Sequence, residues 1–456
     1  IVYDFEYKAK YAFRRYEHHT VQDCQIEGGR VHRFMLLGIV GALGATAQSW
    51  DWGGKLAEAL SAETGSKLTL TMEQRVRYEE RSGTTFGKDP DIDTGLVRTR
   101  LGMTYRPVSW LKFSAMAQDS RAPWYGAGAP NTVRDQADLH EAYIEANPGA
   151  LGFGVTVGRM MLNYGEGRVI GTPQWSNLSR TYDQARVYYR MKRARLEMLY
   201  LSPVKIRIGE FNRPVLGDHV WGMYDSFPDF RGKNLLEVYV LRHDQNRPGG
   251  YTGGSRAAGT DSVGVNAFGG RLSGPVGWGV KYSLEGVAET GRVGPARQRA
   301  AAWFSGMSRR WTVAKHTVDV SGEYKYASAT YDQLYPANHD KFGHEDLLGW
   351  RNLHNARALV TVGLTKALAV NVMYDNYWLA SLRDGLYNGS GKLISRPASG
   401  LTGRHVGQEA DVFGTYKYRH FTFGAGWGHF AAGQFISKST AGVGPNYVYL
   451  FHQYGF

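Results

Sequence analysis

The stretch Lys67 to Glu80, KLTLTMEQRVRYEE, limits what the chain can fold into more than any other feature. Leu68, Leu70, Met72, Gln74, Val76 and Tyr78 share one parity; Thr69, Thr71, Glu73, Arg75, Arg77 and Glu79 share the other. Successive side chains of a strand point to opposite faces, so one face is oily and the other charged. The pattern returns at 95–106, where Val97, Leu101, Met103 and Tyr105 oppose Arg98, Arg100, Thr104 and Arg106. It returns again at 183–190, 193–201, 277–289, 405–418 and 421–427. Sustained helical periodicity is absent.

A soluble sandwich also alternates, with its oily face inward. Three features favour the inverse arrangement. The alternating segments run to about 10–13 residues, the length a tilted strand needs to cross a bilayer, against about 5–6 in soluble sheets. The oily faces carry Tyr78, Tyr105, Tyr189, Tyr200, Tyr416 and Trp427 near segment ends, as a lipid-interface girdle does. The chain ends NYVYLFHQYGF, with Val448, Leu450, Tyr454 and Phe456 on one parity. No apolar run reaches the roughly 18 residues of a membrane helix, and a closed barrel is the all-β way to satisfy every backbone group in lipid. The expected fold is therefore all-β, a transmembrane antiparallel up-and-down β-barrel. Short links alternating with long loops count directly to seventeen strands, which puts the loop 327–354 on the wrong side. A further strand at Asp218–Phe227, turning through 228–233 into Leu235–His243, restores the alternation. Eighteen strands are expected, with sixteen as the alternative.

Upstream, Phe34–Leu43 is a short apolar run behind His32 and Arg33, followed by Ala45-Thr46-Ala47. This is the pattern of a signal peptide at 31–47; a short buried helix is the alternative. Residues 1–30 fit nothing in a signal peptide and read as a non-native upstream extension. Residues 48–66 read as a periplasmic lead-in with one short helical turn, and 67–456 as the barrel, with no linker or repeat inside it. The single cysteine, Cys24, falls in the leader, so disulfides and thiolate metal sites are excluded from the mature chain. The net charge of +13 suits nucleic acid, anionic lipid or a polyanionic solute. No basic helix, zinc spacing or RNA-binding aromatic motif supports nucleic acid.

If the oily face meets lipid, the charged face lines a wet bore. Arg75, Arg77, Arg98, Arg100, Arg186, Arg190, Arg195 and Arg357 are then pore-lining, with Glu409 and Asp411 among the acids. Rings of arginine select anions, whereas a mixed wall can simply neutralise itself by ion pairs. Arg159 is a misfit: it shares parity with Phe153, Val155 and Val157, and needs a bulge near Gly158 or a place above the membrane. Glu409 and Asp411, two apart, invite a paired-carboxylate hydrolase reading, but no acid partner or cleft accompanies them. His339, His344 and His354 are too irregularly spaced to argue for a metal, and no cofactor is implied. The segment Asp332–Asn352 carries Pro, Gly and the aromatics Tyr335, Phe342 and Trp350, too apolar for a solvated loop, which suits a segment folded into the mouth.

That segment, LYPANHDKFGHEDLLGWRNLHNARA at 334–358, resembles the alginate export family of bacterial outer-membrane barrels, with Tyr335, Pro336, His339, Gly343, Asp346 and Asn352 as its motif residues. DLHEAYIEA (138–146), VGRMMLNYGEGRVIG (157–171), EFNRPVLGDHVWGMYDSF (210–227), NYWLASLRDGLY (376–387) and GQEADVFGTYKY (407–418) follow in the family's order. The resemblance covers roughly 67–456. It implies an eighteen-stranded, arginine-lined outer-membrane pore that passes an anionic solute such as an acidic polysaccharide. The implied surroundings are a lipid bilayer and lipopolysaccharide, with periplasmic export components as further partners. Other readings are a general diffusion porin, a scaffold barrel sheathing partner proteins and a barrel hydrolase.

Overall fold

The computed structural model describes residues 52–125, 132–246, 262–339, 341–396 and 403–456. The segments expected to be an upstream extension and a signal peptide, with Cys24, lie outside the described residues. The lead-in is more helical than expected: α1 (Trp52–Glu63) runs for 12 residues, where one turn was anticipated. Ala and Leu favour it, and it ends where Gly65 and Ser66 adopt positive φ.

Eighteen long strands follow: β1 (Leu68–Ser82), β2 (Ile92–Val108), β3 (Leu111–Arg121), β4 (Asp135–Ala146), β5 (Gly152–Met160), β6 (Tyr182–Met191), β7 (Ala194–Lys205), β8 (Asp218–Phe230), β9 (Asn234–Gln245), β10 (Val263–Gly277), β11 (Val280–Val293), β12 (Ala296–Val313), β13 (His316–Ala327), β14 (Leu353–Gly363), β15 (Leu368–Leu379), β16 (His405–Tyr418), β17 (Phe421–Ala432) and β18 (Asn446–Gly455). Each pairs antiparallel with its neighbours in sequence. β18 then returns to β1, with Glu73 opposite Gly455 and Ser82 opposite Asn446, so no edge is left open. The added strand is β8, and it reaches Phe230. Several turns fall later than the links the sequence pattern suggests at 106–108, 274–276 and 309–315: β2 continues to Val108, β10 to Gly277 and β12 to Val313.

Turns of two to five residues close one end of the barrel, and longer loops close the other. By the usual sidedness the short turns are periplasmic. One outer connection breaks the length rule: Gly294-Pro295 joins β11 to β12 in two residues. Gly294 supplies the left-handed φ of +53° that such a tight turn needs.

The two faces sort as the alternation requires. Leu101 is 56% exposed on the outside, while its neighbour Arg100 is 4% exposed within. Met198, Val412 and Trp427 are outward and exposed; Glu197, Asp411 and Arg98 are inward and buried. A charge on the lipid face at mid-bilayer costs about 2–4 kcal/mol, and this sorting avoids it. Arg159 is an outward residue at the outer rim. Strands β4 and β5 stay in register through Gly158 and Arg159, so no bulge is involved. Its guanidinium pairs with Asp183 at 2.7 Å and donates to the Asn212 carbonyl at 3.0 Å, in the loop above β7.

Two local rules bend. The β3–β4 ladder slips between Met116 and Ala117, leaving His140 as an extra residue, so His140 and Glu141 both face inward and are buried. On β7, β8 and β9 the inner face is apolar near the outer end: Leu199, Leu201, Val220 and Leu241 are all buried. These strands are apolar on both faces because two loops, 161–181 and 328–352, fold into the bore and pack there. They contribute Leu162, Val169, Ile170, Leu334, Phe342, Leu348 and Trp350 to a core inside the barrel. The loops also pair with each other, Tyr335 N–H to the Val169 carbonyl at 2.9 Å and Gly171 N–H to the Tyr335 carbonyl at 2.8 Å.

Candidate functional site

Strands β1 and β2 set Arg75 directly opposite Arg98, and Glu73 directly opposite Arg100. The loop 161–181 reaches across the bore to this wall. Arg75 donates to the carbonyls of Gln174 at 3.0 Å and Trp175 at 2.8 Å; Arg98 donates to Gln174 at 3.0 Å and Ser176 at 2.8 Å. Arg77 donates to the Trp175 carbonyl at 2.5 Å, and its guanidinium lies over the indole, 4.1 Å from the ring centroid. Arg100 bonds Gln118 at 2.7 Å and the Gln174 side chain at 3.0 Å, with His140 Nε2 at 3.2 Å. The ion-pair partners are fewer: Glu73 for Arg98 at 2.7 Å and more loosely Arg100, and Glu79 for Arg77 at 2.6 Å. Among the described residues Arg75 meets no carboxylate. Carbonyls accept from these guanidiniums without cancelling their charge, and Arg75 Nε stays buried without a hydrogen bond, so the constriction stays positive.

A cavity of about 400 Å³ adjoins it, lined by Glu73, Arg75, Arg98, Gln174, Trp175, His339, Phe451 and Gln453. Gln174 and Trp175 were not singled out by sequence. Their one signal was a tryptophan in a long polar loop.

Of the remaining arginines facing the same bore, Arg186, Arg195 and Arg357 are neutralised. Arg186 and Arg195 share Glu197, at 3.4 Å for Arg186, and Tyr164 of the inward loop donates to the same carboxylate. Arg195 also lies over the Tyr188 ring at 4.2 Å. Arg357 donates from Nε to both oxygens of Asp375, each at 3.0 Å, and Lys325 pairs with Glu323 at 2.8 Å. Arg190 sits half-buried at the end of β6, 5.5 Å from the Tyr188 centroid.

The motif residues fix the second loop. The Tyr335 hydroxyl donates to Asp218, whose other neighbour His243 is held between Asp218 at 3.2 Å and Asp332 at 3.1 Å. The Pro336 carbonyl accepts from Arg180 at 3.0 Å. His339 stacks on Trp175, centroids 4.7 Å apart, and bonds Asp346 at 2.7 Å, which ties the two loops together. His344 instead packs on Phe413, and His354 bonds Tyr324, so the three histidines go to separate tasks. Asn352, at φ +51°, donates to the carbonyls of Ser381 and Gly385, both at 2.9 Å.

Glu409 and Asp411 face inward but are sealed under this loop, at 0% and 1% exposure. Gly343 passes so close to Glu409 that an added Cβ would lie 2.0 Å from Oε2. The Glu345 N–H donates to Glu409 Oε1 at 3.0 Å, and Tyr377 donates to Oε2 at 3.3 Å. Both Asp411 oxygens and Glu345 Oε1 are buried without a hydrogen bond. Burial, and then the Glu409 carboxylate, push the Glu345 carboxyl up to about 9, against the pull of Arg81. Glu166 behaves oppositely. Burial raises it, but Arg168 and Arg271 outweigh that and hold it at about 2.

The geometry is that of an outer-membrane channel narrowed by inward loops, and the comparisons agree. Solved Pseudomonas aeruginosa barrels share the fold. OccK8 (OprE) is 11% identical over 85% of this chain and 98% of its own, with a TM-score of 0.58. OccK3 (OpdO) is 12% identical over 85% and 95%, at 0.57. OccK2 (OpdF), solved in complex with glucuronate, is 10% identical over 86% and 96%, also at 0.57. No curated protein matches the sequence. A family model described as alginate export matches residues 66–449, most of the chain. The chain therefore belongs to the alginate export family of outer-membrane β-barrels.

Proposed function

We propose that the barrel is a passive channel preferring anions, with an acidic polysaccharide of the alginate type as the solute that the family suggests. The observation that carries this reading is the β1–β2 wall. There, among the described residues, Arg77, Arg98 and Arg100 ion-pair with only two carboxylates, Glu73 and Glu79, Arg75 pairs with none, and all four otherwise bond uncharged groups. A carboxylate passing this wall is attracted without being locked, because each contact is exchangeable and salt-screened. The adjoining cavity sets arginines beside Trp175 and Phe451, a chemistry suited to a uronate ring with its carboxylate toward Arg75. No catalytic step is assigned to any residue.

The β15–β16 wall, three strands from β1, favours a second reading. It is rich in carboxyl groups, Glu345, Glu409, Asp411 and Asp375, so the lining mixes both signs, as that of a general diffusion pore for small ions does. Reversal potentials across a planar bilayer under a salt gradient separate the two. The anion reading expects wild type to prefer anions and Arg98→Glu with Arg100→Glu to lose that preference. Unchanged selectivity in the double variant overturns it.

A further inference from the structure

The arginines of the constriction are engaged; the cations at the short-turn end of the bore are not. Arg106 lies near the end of β2, Arg190 near the end of β6, Lys233 just before β9, Lys281 near the start of β11 and Lys417 near the end of β16. Each continues the inward parity of its strand, set by Arg100, Arg186, Glu237, Glu285 and Asp411. Four of the five are exposed and Arg190 is half-buried. Among the described residues none of the five meets a carboxylate within ion-pair distance. Of the acids toward this end among the described residues, Glu145 pairs with Lys112 and Asp319 with Arg310 at 2.8 Å, while Asp229 stands exposed at the end of β8 without an ion pair. Lys233 and Lys281 open onto one cavity of about 570 Å³, which Arg271, Ser273, Ser283 and Glu323 also line, with Glu166 of the inward loop above; Glu323 is held by Lys325 at 2.8 Å. Arg271 is neutralised by Glu166 at 2.8 Å and Glu237 at 2.6 Å, so the two lysines carry the uncompensated charge.

We propose that this ring is a loading site for a polycarboxylate chain, which docks at the periplasmic mouth before threading past the arginine wall. The proposal rests on the anion-channel reading and adds to it a place and a direction of entry. Like charges held in a confined mouth raise the local concentration of a polyanion and its capture rate. Several weak contacts, each screened over about 8 Å at physiological salt, hold a polymer while leaving every unit exchangeable. A monovalent anion gains far less, so the ring selects for chain length.

The test uses the full barrel in planar bilayers, with uronate oligomers added first to the short-turn face and then to the long-loop face. Wild-type reversal potential is measured beforehand. The expected result is current block with a higher on-rate from the short-turn face. Replacing Arg106, Lys233, Lys281 and Lys417 by Gln should lower that on-rate about tenfold, the scale of electrostatic steering. Heat-modifiable migration on gels verifies that the variant barrel is assembled, and the single Lys281→Gln change should give a smaller loss in the same direction. Equal block from both faces, or an unaltered on-rate in the variant, overturns the proposal. So does a side-dependence that follows the phosphatidylglycerol content of the bilayer rather than the substitutions, which would assign the ring to lipid headgroups. Failure of the channel reading looks different: wild type would show no anion preference, and the proposal would fall with it.

Discussion

Arg75 and Arg98 stand directly opposite each other across the β1–β2 ladder, and both donate to the backbone carbonyl of Gln174, at 3.0 Å in each case. Like charges so placed repel. The carbonyl dipoles of the loop 161–181 offset that repulsion, so the loop and the arginine wall stabilise one another. Hydrogen bonds to charged groups contribute about 1.5–3 kcal/mol each. Replacing both arginines by Gln should therefore loosen the loop. Amide hydrogen exchange at 174–176 should quicken by at least tenfold and unit conductance should rise; unchanged exchange would show that the loop is held by other contacts.

The second loop is anchored by packing. Trp350 is 0% exposed and touches the rings of Tyr331 and Phe342. Trp350→Ala should cost about 3–5 kcal/mol of folded-state stability, the usual range for a buried tryptophan. Tyr335→Phe removes one donor from Asp218 but leaves His243 beside that carboxylate, so a loss nearer 1–3 kcal/mol is expected. Urea unfolding in detergent micelles should rank the two variants in that order.

Glu345 gives the loop a pH dependence. Its carboxyl is pushed up to about 9 when docked, from an ordinary value of 4.5. A raised carboxyl favours the docked state at low pH, and that advantage is lost as pH climbs from the undocked value toward the docked one. The wild-type loop should thus hold progressively less tightly between about pH 4.5 and 9, read as increasing conductance and faster exchange at residues 343–346. Glu345→Gln, which stays neutral, should flatten the dependence. A wild-type channel indifferent to pH over this range would refute the assignment.

The barrel was legible because its physics is local. In KLTLTMEQRVRYEE every second residue reports its face, and the absence of charge on the Leu68–Tyr78 parity needs no tertiary information. Strand count followed from alternation of short and long links, which is why Asp218–Phe230 could be recovered although its DHVWGMYDSF pattern is weak. The site was less legible because it is made of long-range contacts. Nothing in the sequence says that Arg75 meets Gln174, 99 positions away, or that His140 is an extra residue in its ladder. Leu199, Leu201 and Val220 broke the alternation for a reason supplied only by the inward loops. Glu409 and Asp411 faced the bore as their parity required, yet lie covered by Glu345, which parity could not foretell.

The lipid face makes its own prediction. Leu101→Arg places a guanidinium on the outward parity near mid-strand and should cost about 2–4 kcal/mol. Thr71→Arg, exposed on the inward parity, should stay within about 0.5 kcal/mol, as ordinary substitutions in water do. Unfolding titrations of both in lipid vesicles measure the contrast.

The most direct measurement is the single-channel current of the purified protein in potassium chloride, recorded with and without uronate oligomers. A water-filled bore with a positive constriction predicts a reversal potential displaced toward that of chloride and discrete oligomer blocks that weaken as salt is raised. A cation-preferring channel whose current is untouched by the oligomer would contradict it.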